Sequence, residues 1–349
     1  MPAFKGNCSA TAIGSLPHTN VEEACNLISR TLPELPCWPQ LPKISFVEEM
    51  CVQYAEGMPF FRLQPEQKRF YLETCEEGEV LEFLYDRYQK KNFSGTDISD
   101  KYAAGLHAMK HRFSTLPRLR AVKGQTVGPV TMAGNLKDSQ GVAAFHDPTV
   151  FDAIIKHLSL KARWQINFLS ANKVPVVLFV DEPYLSCLGA AFATIEKDGV
   201  IKSLGEIFDN IKDSGAVAGI HCCGNTDWSM VLETGTDILS FDAFFFMDKV
   251  LGYSGDLKKF LEKGGTLSWG IVPTTSEALK DVTLEVLMKK MEWGIEQLSK
   301  KGMERGLILE RSIITPSCGT GTLTIAEAEK AMTLNYQLSL RLKERYNLP

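Results

Sequence analysis

The sequence lacks any stretch of about 18 uninterrupted apolar residues, which is the minimum for a transmembrane helix. Residues 1–10 also lack the apolar core of a secretion signal. We therefore expect a cytoplasmic protein that has no membrane partner.

An excess of charge of one sign is also absent. The chain has 38 Lys and Arg against 42 Asp and Glu, a formal net charge of -4. Its densest basic clusters, residues 90–91 and 110–120, are interspersed with other residue types and are typical of solvated helix faces. The composition therefore predicts no nucleic-acid partner.

The nine cysteines lack the even number and regular spacing of a disulfide framework. This pattern favours reduced thiols in a reducing compartment, some of them available as metal ligands. We interpret Cys8, Cys25, Cys37, Cys51, Cys75 and Cys187 as small buried apolar residues.

Apolar runs alternate with amphipathic segments along most of the 349 residues. The runs predict about eight strands, at 11–15, 44–47, 121–128, 174–180, 216–222, 237–241, 266–272 and 308–315. This alternation predicts an α/β protein, a single (β/α)8 TIM barrel over residues 1–349, with a helical elaboration at 58–120. The alternative is an open doubly wound sheet, but no Gly-x-Gly-x-x-Gly follows the first strand.

Metal-binding side chains stand at the carboxyl ends of the predicted strands, where such barrels carry their chemistry. Side chains alternate along a strand, so His221 and Cys223 share a face while Cys222 points the other way. Cys318, at the end of the last strand, is a third candidate ligand, and Asp242 is a doubtful fourth or a neighbour of the ligands. Imidazole and thiolate are the ligands of zinc, so the sequence predicts a Zn²⁺ site.

The pair Asp181 and Glu182 ends an apolar run, where two carboxylates require a cation. A substrate ammonium group and a Lys or Arg from a neighbouring loop are both candidates for that cation. We assign no catalytic residue outside the metal site.

Seven motifs occur together and in order along nearly the whole chain, at residues 13–17, 47–48, 128–131, 181–183, 221–223, 240–242 and 317–319. In this combination the sequence resembles the C-terminal catalytic barrel of cobalamin-independent methionine synthase. It also resembles the related uroporphyrinogen decarboxylase and methylcobamide:coenzyme M methyltransferase superfamily.

The resemblance implies a catalytic zinc held by His221, Cys223 and Cys318, and a methyl transfer to homocysteine. It further implies that Ser15 contributes to the site for the substrate carboxylate, and that Glu48 and Asp181 bind the ammonium group. The family carries a Glu where Asp242 stands here.

Two departures bear on the methyl donor. The chain has no room for the second barrel of the synthase, and residues 270–275 lack the His that protonates a departing folate. We therefore expect a methylcorrinoid, carried by a corrinoid protein, in preference to methyltetrahydrofolate. The alternatives are methylation of coenzyme M or another thiol, a uroporphyrinogen decarboxylase-like reaction, and a non-catalytic zinc protein.

Overall fold

The structure is a computed structural model that describes residues 4–73, 78–188 and 195–349. Its strands are β1 (Ser9–Ala10), β2 (Phe61–Gln64), β3 (Arg69–Leu72), β4 (Val122–Val127), β5 (Val176–Asp181), β6 (Val217–Cys222), β7 (Ile238–Phe241), β8 (Thr266–Val272) and β9 (Ser312–Pro316).

The helices lie between and after these strands. They are α1 (Val21–Thr31), α2 (Met50–Tyr54), α3 (Gly78–Gln89), α4 (Ala104–Phe113), α5 (Pro129–Asn135), α6 (Pro148–Ser170), α7 (Lys197–Asp213), α8 (Trp228–Glu233), α9 (Met247–Leu251), α10 (Ser254–Glu262), α11 (Ser276–Asp281), α12 (Leu284–Lys300), α13 (Arg305–Glu310) and α14 (Ile325–Tyr346). Among the described residues, no helix combines the length and the apolar character needed to cross a membrane.

The central sheet has seven strands in the order β1-β9-β8-β7-β6-β5-β4, and all neighbours in it are parallel. Each of these strands is buried along its length. Such burial is typical of a parallel sheet that helices cover, and it explains the nearly continuous apolar runs in the sequence.

The prediction of a closed eight-stranded barrel is wrong, because the seven-stranded sheet is open between its edge strands β1 and β4. The predicted second strand at 44–47 is replaced by a 3-10 turn at Phe46–Glu48. Isolated bridges join Gln40 to Ser15 and Cys37 to Lys123 between the two edges. Prolines at 36 and 39 lack the backbone N–H that a continuous ladder requires, so no strand forms there.

Two further predictions needed correction. Residues 58–120 contain α3 and α4, but also the antiparallel hairpin β2–β3, so the elaboration is only partly helical. The run at 308–315 begins as helix α13 and becomes strand only at Ser312.

One face of the sheet changes from apolar to polar along the strands. Near their amino ends lies a small apolar cluster of Leu35, Ala121, Val177, Phe179, Val217, Ile238 and Ile313. Because side chains alternate, Phe179 shares its face with Asp181, and Val217 shares its face with His221. The polar residues at the carboxyl ends therefore share one face of the sheet with this apolar cluster.

Candidate metal centre

Three metal-binding side chains meet at the carboxyl ends of β6 and β9. The ligand atoms of His221, Cys223 and Cys318 all lie within 4.8 Å of one another, and a search of the described residues finds no other such group. His221 is in β6, Cys223 follows it directly, and Cys318 lies just beyond β9. The structure thus brings together the three residues that the strand ends predicted.

His221 is oriented by a neighbouring strand. Its Nδ1 lies 3.0 Å from the Ser240 hydroxyl oxygen, and the two residues are in register on β6 and β7. The Nε2 atom is buried and has no hydrogen-bond partner. When Nδ1–H donates to Ser240, the Nε2 lone pair is left free, which is the arrangement that a metal-binding histidine needs.

The two thiols interact with each other. A hydrogen bond from Cys318 lowers the pKa of Cys223 to about 4, and the proximity of His221 acts in the same direction. The same interaction raises the pKa of Cys318 well above its usual value. Of the two thiols, Cys223 therefore loses its proton more readily.

The donor set fits a zinc ion. Zinc bonds of about 2.0 to 2.3 Å place tetrahedral ligand atoms about 3.5 to 3.8 Å apart. The three atoms here are close enough for small side-chain rotations to reach that geometry. The buried Nε2 without a partner and the lowered pKa of Cys223 also suit a divalent cation.

Asp242 lies beside this group but is not one of its three members. Its Oδ1 accepts a hydrogen bond of 2.8 Å from the backbone N–H of Phe245. Burial raises the pKa of Asp242 to about 6. The carboxylate therefore orders the loop after β7, and the described residues supply three ligands together.

Asp181 is the acidic residue whose position best suits a bound cation. It ends β5 in register with His221, and its Oδ1 is buried without a hydrogen-bond partner. Burial raises the pKa of Asp181 to about 6, while the charge of Lys123 opposes that rise. A buried carboxylate oxygen without a donor is costly, and a bound cation would remove that cost.

Glu182, also predicted to bind substrate, is turned toward the start of α5. Its carboxylate accepts hydrogen bonds from the backbone N–H groups of Val130 and Thr131, at 2.9 and 2.8 Å, and from the Thr131 hydroxyl. Burial raises the pKa of Glu182 to about 7. This side chain joins β5 to α5, and we take it out of the set proposed for substrate binding.

Glu48 has a similar position in the loop that precedes α2. Its two oxygens accept hydrogen bonds from the backbone N–H groups of Leu41 and Ala104, at 3.0 and 3.2 Å. The side chain is almost fully buried, which raises its pKa to about 7. Glu48 thus holds two loops together.

Ser15 lies directly against the loop that carries Cys318. Its carbonyl oxygen accepts hydrogen bonds from the backbone N–H and the hydroxyl of Thr320, at 2.9 and 3.0 Å. A side chain at position 319 would collide with the Ser15 hydroxyl, so Gly319 permits this approach. The two loops therefore form one unit at the carboxyl ends of β1 and β9.

Comparisons with known proteins leave the family of this chain open. No family model matches the sequence, and no curated protein matches it. Among solved structures, one match is a Bacteroides thetaiotaomicron protein that carries the provisional name alpha-L-fucosidase. The match covers 100% of this chain and 98% of that one, at 11% identity and a TM-score of 0.35. A likeness at this level carries no argument about fold or function.

Three further side chains lie outside the metal group. Cys222 is buried and hydrogen-bonded to the Gly224 carbonyl, as its predicted orientation requires. His18 is buried and its Nδ1 has no hydrogen-bond partner. Cys75 lies outside the described residues.

Sequence reasoning missed Lys123. This lysine lies within β4, is fully buried, and its Nζ donates a hydrogen bond of 2.7 Å to the carbonyl of Ile13. The signal was a lysine inside a segment, residues 121–128, that was already predicted to be a strand.

A large cleft lies at the other end of the sheet. It has a volume of about 910 Å³ and is lined by residues near the amino ends of β6, β7 and β8, among them Ala216, Thr236 and Gly265. The metal-binding group lies at the carboxyl ends of these strands, so the cleft is separate from it.

Proposed function

We propose that this protein is a zinc-dependent methyltransferase that methylates the thiol of homocysteine to form methionine. The observation that carries the proposal is the meeting of His221, Cys223 and Cys318 beside the unpartnered carboxylate oxygen of Asp181. Three protein ligands leave a fourth position for substrate, as in catalytic zinc sites. The free thiols of Cys223 and Cys318 suit reducing conditions.

A bound zinc ion would lower the pKa of the substrate thiol and present it as a thiolate. The residues of this chain then have three tasks. His221 and the two cysteines define where the sulfur sits, because Ser240 fixes the imidazole ring. Asp181 pairs with the substrate ammonium group, and the Ser15 turn meets its carboxylate. Holding both ends of the amino acid directs the sulfur toward the incoming methyl carbon.

The acceptor is proposed from the charge of the site. A buried carboxylate oxygen without a donor favours a ligand that brings an ammonium group, which homocysteine has. Coenzyme M has a sulfonate and no ammonium group, so Asp181 would repel it. Methylation of coenzyme M is for this reason the less favoured alternative.

The donor is proposed from the residues after β8. Thr274 occupies this region, and its hydroxyl lies 3.1 Å from that of Ser317. Neither side chain has the basicity of an imidazole. The absence of such an acid from these two positions suits a methylcorrinoid donor, because the corrinoid leaves the methyl group without being protonated. The partner would then be a corrinoid protein that carries the methyl group.

The deciding experiment is a methyl-transfer assay on the zinc-loaded protein with homocysteine as acceptor. Methylcobalamin and methyltetrahydrofolate are offered in parallel, and methionine is measured by mass spectrometry. We expect methionine from methylcobalamin. Methionine from the folate alone would contradict the proposed donor, and methionine from neither would contradict the proposed reaction.

A closed structural zinc site is the alternative outside enzyme chemistry. Spectra of the cobalt-substituted protein separate the two, because a thiol that enters an open position changes the thiolate charge-transfer bands. Unchanged bands at saturating homocysteine would overturn the open site.

A further inference from the structure

Lys123 is a charged side chain buried without an ion pair among the described residues. It is 0% exposed, and burial lowers its pKa, whereas the charges of Cys37 and Asp181 raise it. A buried ammonium group is costly unless partners offset its lost hydration. The partners of Lys123 therefore indicate what it is retained for.

The Lys123 side chain extends toward the carboxyl ends of the strands. Lys123 is in register with Val177 on β5, and its Nζ lies 4.5 Å from the centre of the Phe179 ring, one step nearer the carboxyl ends. This position over the ring face stabilises the cation. Asp181 is the next residue of β5 on the same face.

The end of the side chain holds the turn that carries Ser15. Its Nζ donates to the Ile13 carbonyl at 2.7 Å, and the Gln125 side-chain oxygen lies 3.5 Å from it. Gly14, with a φ of 147°, lies so close to the Gln125 side chain that an added Cβ would be 2.7 Å from it. Lys123 and Gln125 of β4 therefore support residues 13–15 from below.

We propose that Lys123 is a positioning residue that makes the proposed substrate site, beside Asp181 and Ser15, selective for zwitterionic amino-acid thiols. It balances the charge of Asp181, which faces the ammonium end of the ligand, and fixes the Ile13–Ser15 turn, which faces the carboxylate end. Lys123 thereby contributes to the recognition of both the ammonium end and the carboxylate end of the ligand. The inference rests on the proposed function, because it assigns the amino-acid part of the same ligand.

A second buried lysine provides a matched control. Lys161 of α6 is 1% exposed, and its Nζ donates to the Asp97 carbonyl at 2.6 Å. It has the same kind of carbonyl partner as Lys123, but it contacts the segment before α4 and no residue of the metal-binding group. Replacing Lys161 tests the loss of a buried lysine alone.

The test measures thiol binding to the cobalt-substituted protein through its charge-transfer bands. The ligands are homocysteine, 4-mercaptobutanoate, which lacks the ammonium group, and 1-propanethiol, which lacks both charged ends. The proteins are wild type, Lys123→Met, Lys123→Gln and Lys161→Met. Lys123→Gln retains a polar end, so it remains informative if Lys123→Met does not fold.

We expect both Lys123 variants to bind homocysteine roughly 10- to 100-fold more weakly, the size expected when a hydrogen bond to a charged group is lost. Binding of 1-propanethiol should not change, and the loss for 4-mercaptobutanoate should be smaller than for homocysteine. Lys161→Met should match wild type with all three ligands.

Each result that differs from these expectations would contradict a distinct part of the inference. If wild type binds homocysteine no more tightly than 1-propanethiol, the proposed amino-acid site fails before any variant is compared. If wild type discriminates and both Lys123 variants discriminate equally well, the role of Lys123 alone is wrong. An equal loss for 1-propanethiol would show that Lys123 acts on the metal ligands, which also contradicts the inference.

Discussion

His221, Cys223 and Cys318 show how far single residues determine the site. The pKa of Cys223 is lowered and that of Cys318 is raised, because one thiol donates a hydrogen bond to the other. Cys222, adjacent in sequence, points away, and burial raises its pKa to about 12. Neighbouring thiols in the sequence therefore have different chemistry.

Replacing Cys318 tests the ligand assignment. Cys318→Ser removes one of two sulfur donors, so we expect the purified protein to contain little zinc and to show no methyl transfer. Metal content is measured by atomic emission. Cys222→Ser is the matched control and should retain zinc. Full zinc content in Cys318→Ser would contradict the assignment.

Ser240 tests the orientation of His221. Ser240→Ala removes the hydroxyl that lies 3.0 Å from Nδ1, so the ring loses its orienting partner. We expect zinc affinity to fall roughly 10- to 100-fold, as for other residues that orient metal-binding histidines.

Competition with a chromophoric chelator measures the affinity of Ser240→Ala. Ser268→Ala is the control, because Ser268 is in register with Ser240 but its buried hydroxyl has no partner. Equal zinc affinity in Ser240→Ala and wild type would assign the orientation of His221 to other contacts.

At the scale of elements, α3 is attached to α6 and α7 by a polar network. The Tyr88 hydroxyl donates to Glu206 at 2.8 Å and accepts from Asn210 at 2.9 Å. Lys156 also contacts Glu206, at 2.6 Å. These contacts join the inserted segment to the helices that cover the sheet.

Tyr88→Phe tests this attachment. Losing the hydroxyl should lower the free energy of unfolding by about 1 kcal/mol, because two partly buried hydrogen bonds are removed and the ring remains. Amide hydrogen exchange in α3 should become faster. Exchange in α14, which packs against β1, β8 and β9, is the internal reference. Unchanged exchange in α3 would show that apolar contacts alone hold it.

The sequence predicted most central strands, because β5 and β6 are apolar runs that end in polar residues. It did not predict the hairpin β2–β3, since β2 is half-buried throughout and shows no clear alternation. It also could not show that prolines 36 and 39 would leave the sheet open.

For the site, the strand ends were sufficient to predict that His221, Cys223 and Cys318 lie together. Whether Glu182 faces α5 or a ligand depends on tertiary contacts that no local pattern contains. Lys123 was missed for the same reason, since its partner Ile13 is distant in sequence.

At the scale of the whole molecule, buried carboxyl groups make stability depend on pH. Burial raises the pKa of Glu48 and of Glu182 to about 7. In an unfolded chain, the pKa of a glutamate is about 4.3. The folded state therefore binds more protons between these values, and the stability from the neutral forms is lost as pH rises through 7.

We accordingly expect the free energy of unfolding of the metal-free protein to fall between about pH 5 and about pH 8. Urea denaturation at several pH values measures it. Glu48→Gln should reduce the slope, because the amide no longer titrates. A free energy that rises over this range would contradict the burial of these carboxyl groups as the dominant effect.

Cys223 and Cys318 follow β6 and β9, and these two strands are separated in the sheet by β7 and β8. An ion that binds both therefore closes a loop of about a hundred residues, for which the chain-entropy model of a disulfide gives about 5 kcal/mol. With an ion bound, the three ligands would therefore also act as a reversible cross-link across the open sheet. The free energy of metal binding would therefore add to the free energy of folding.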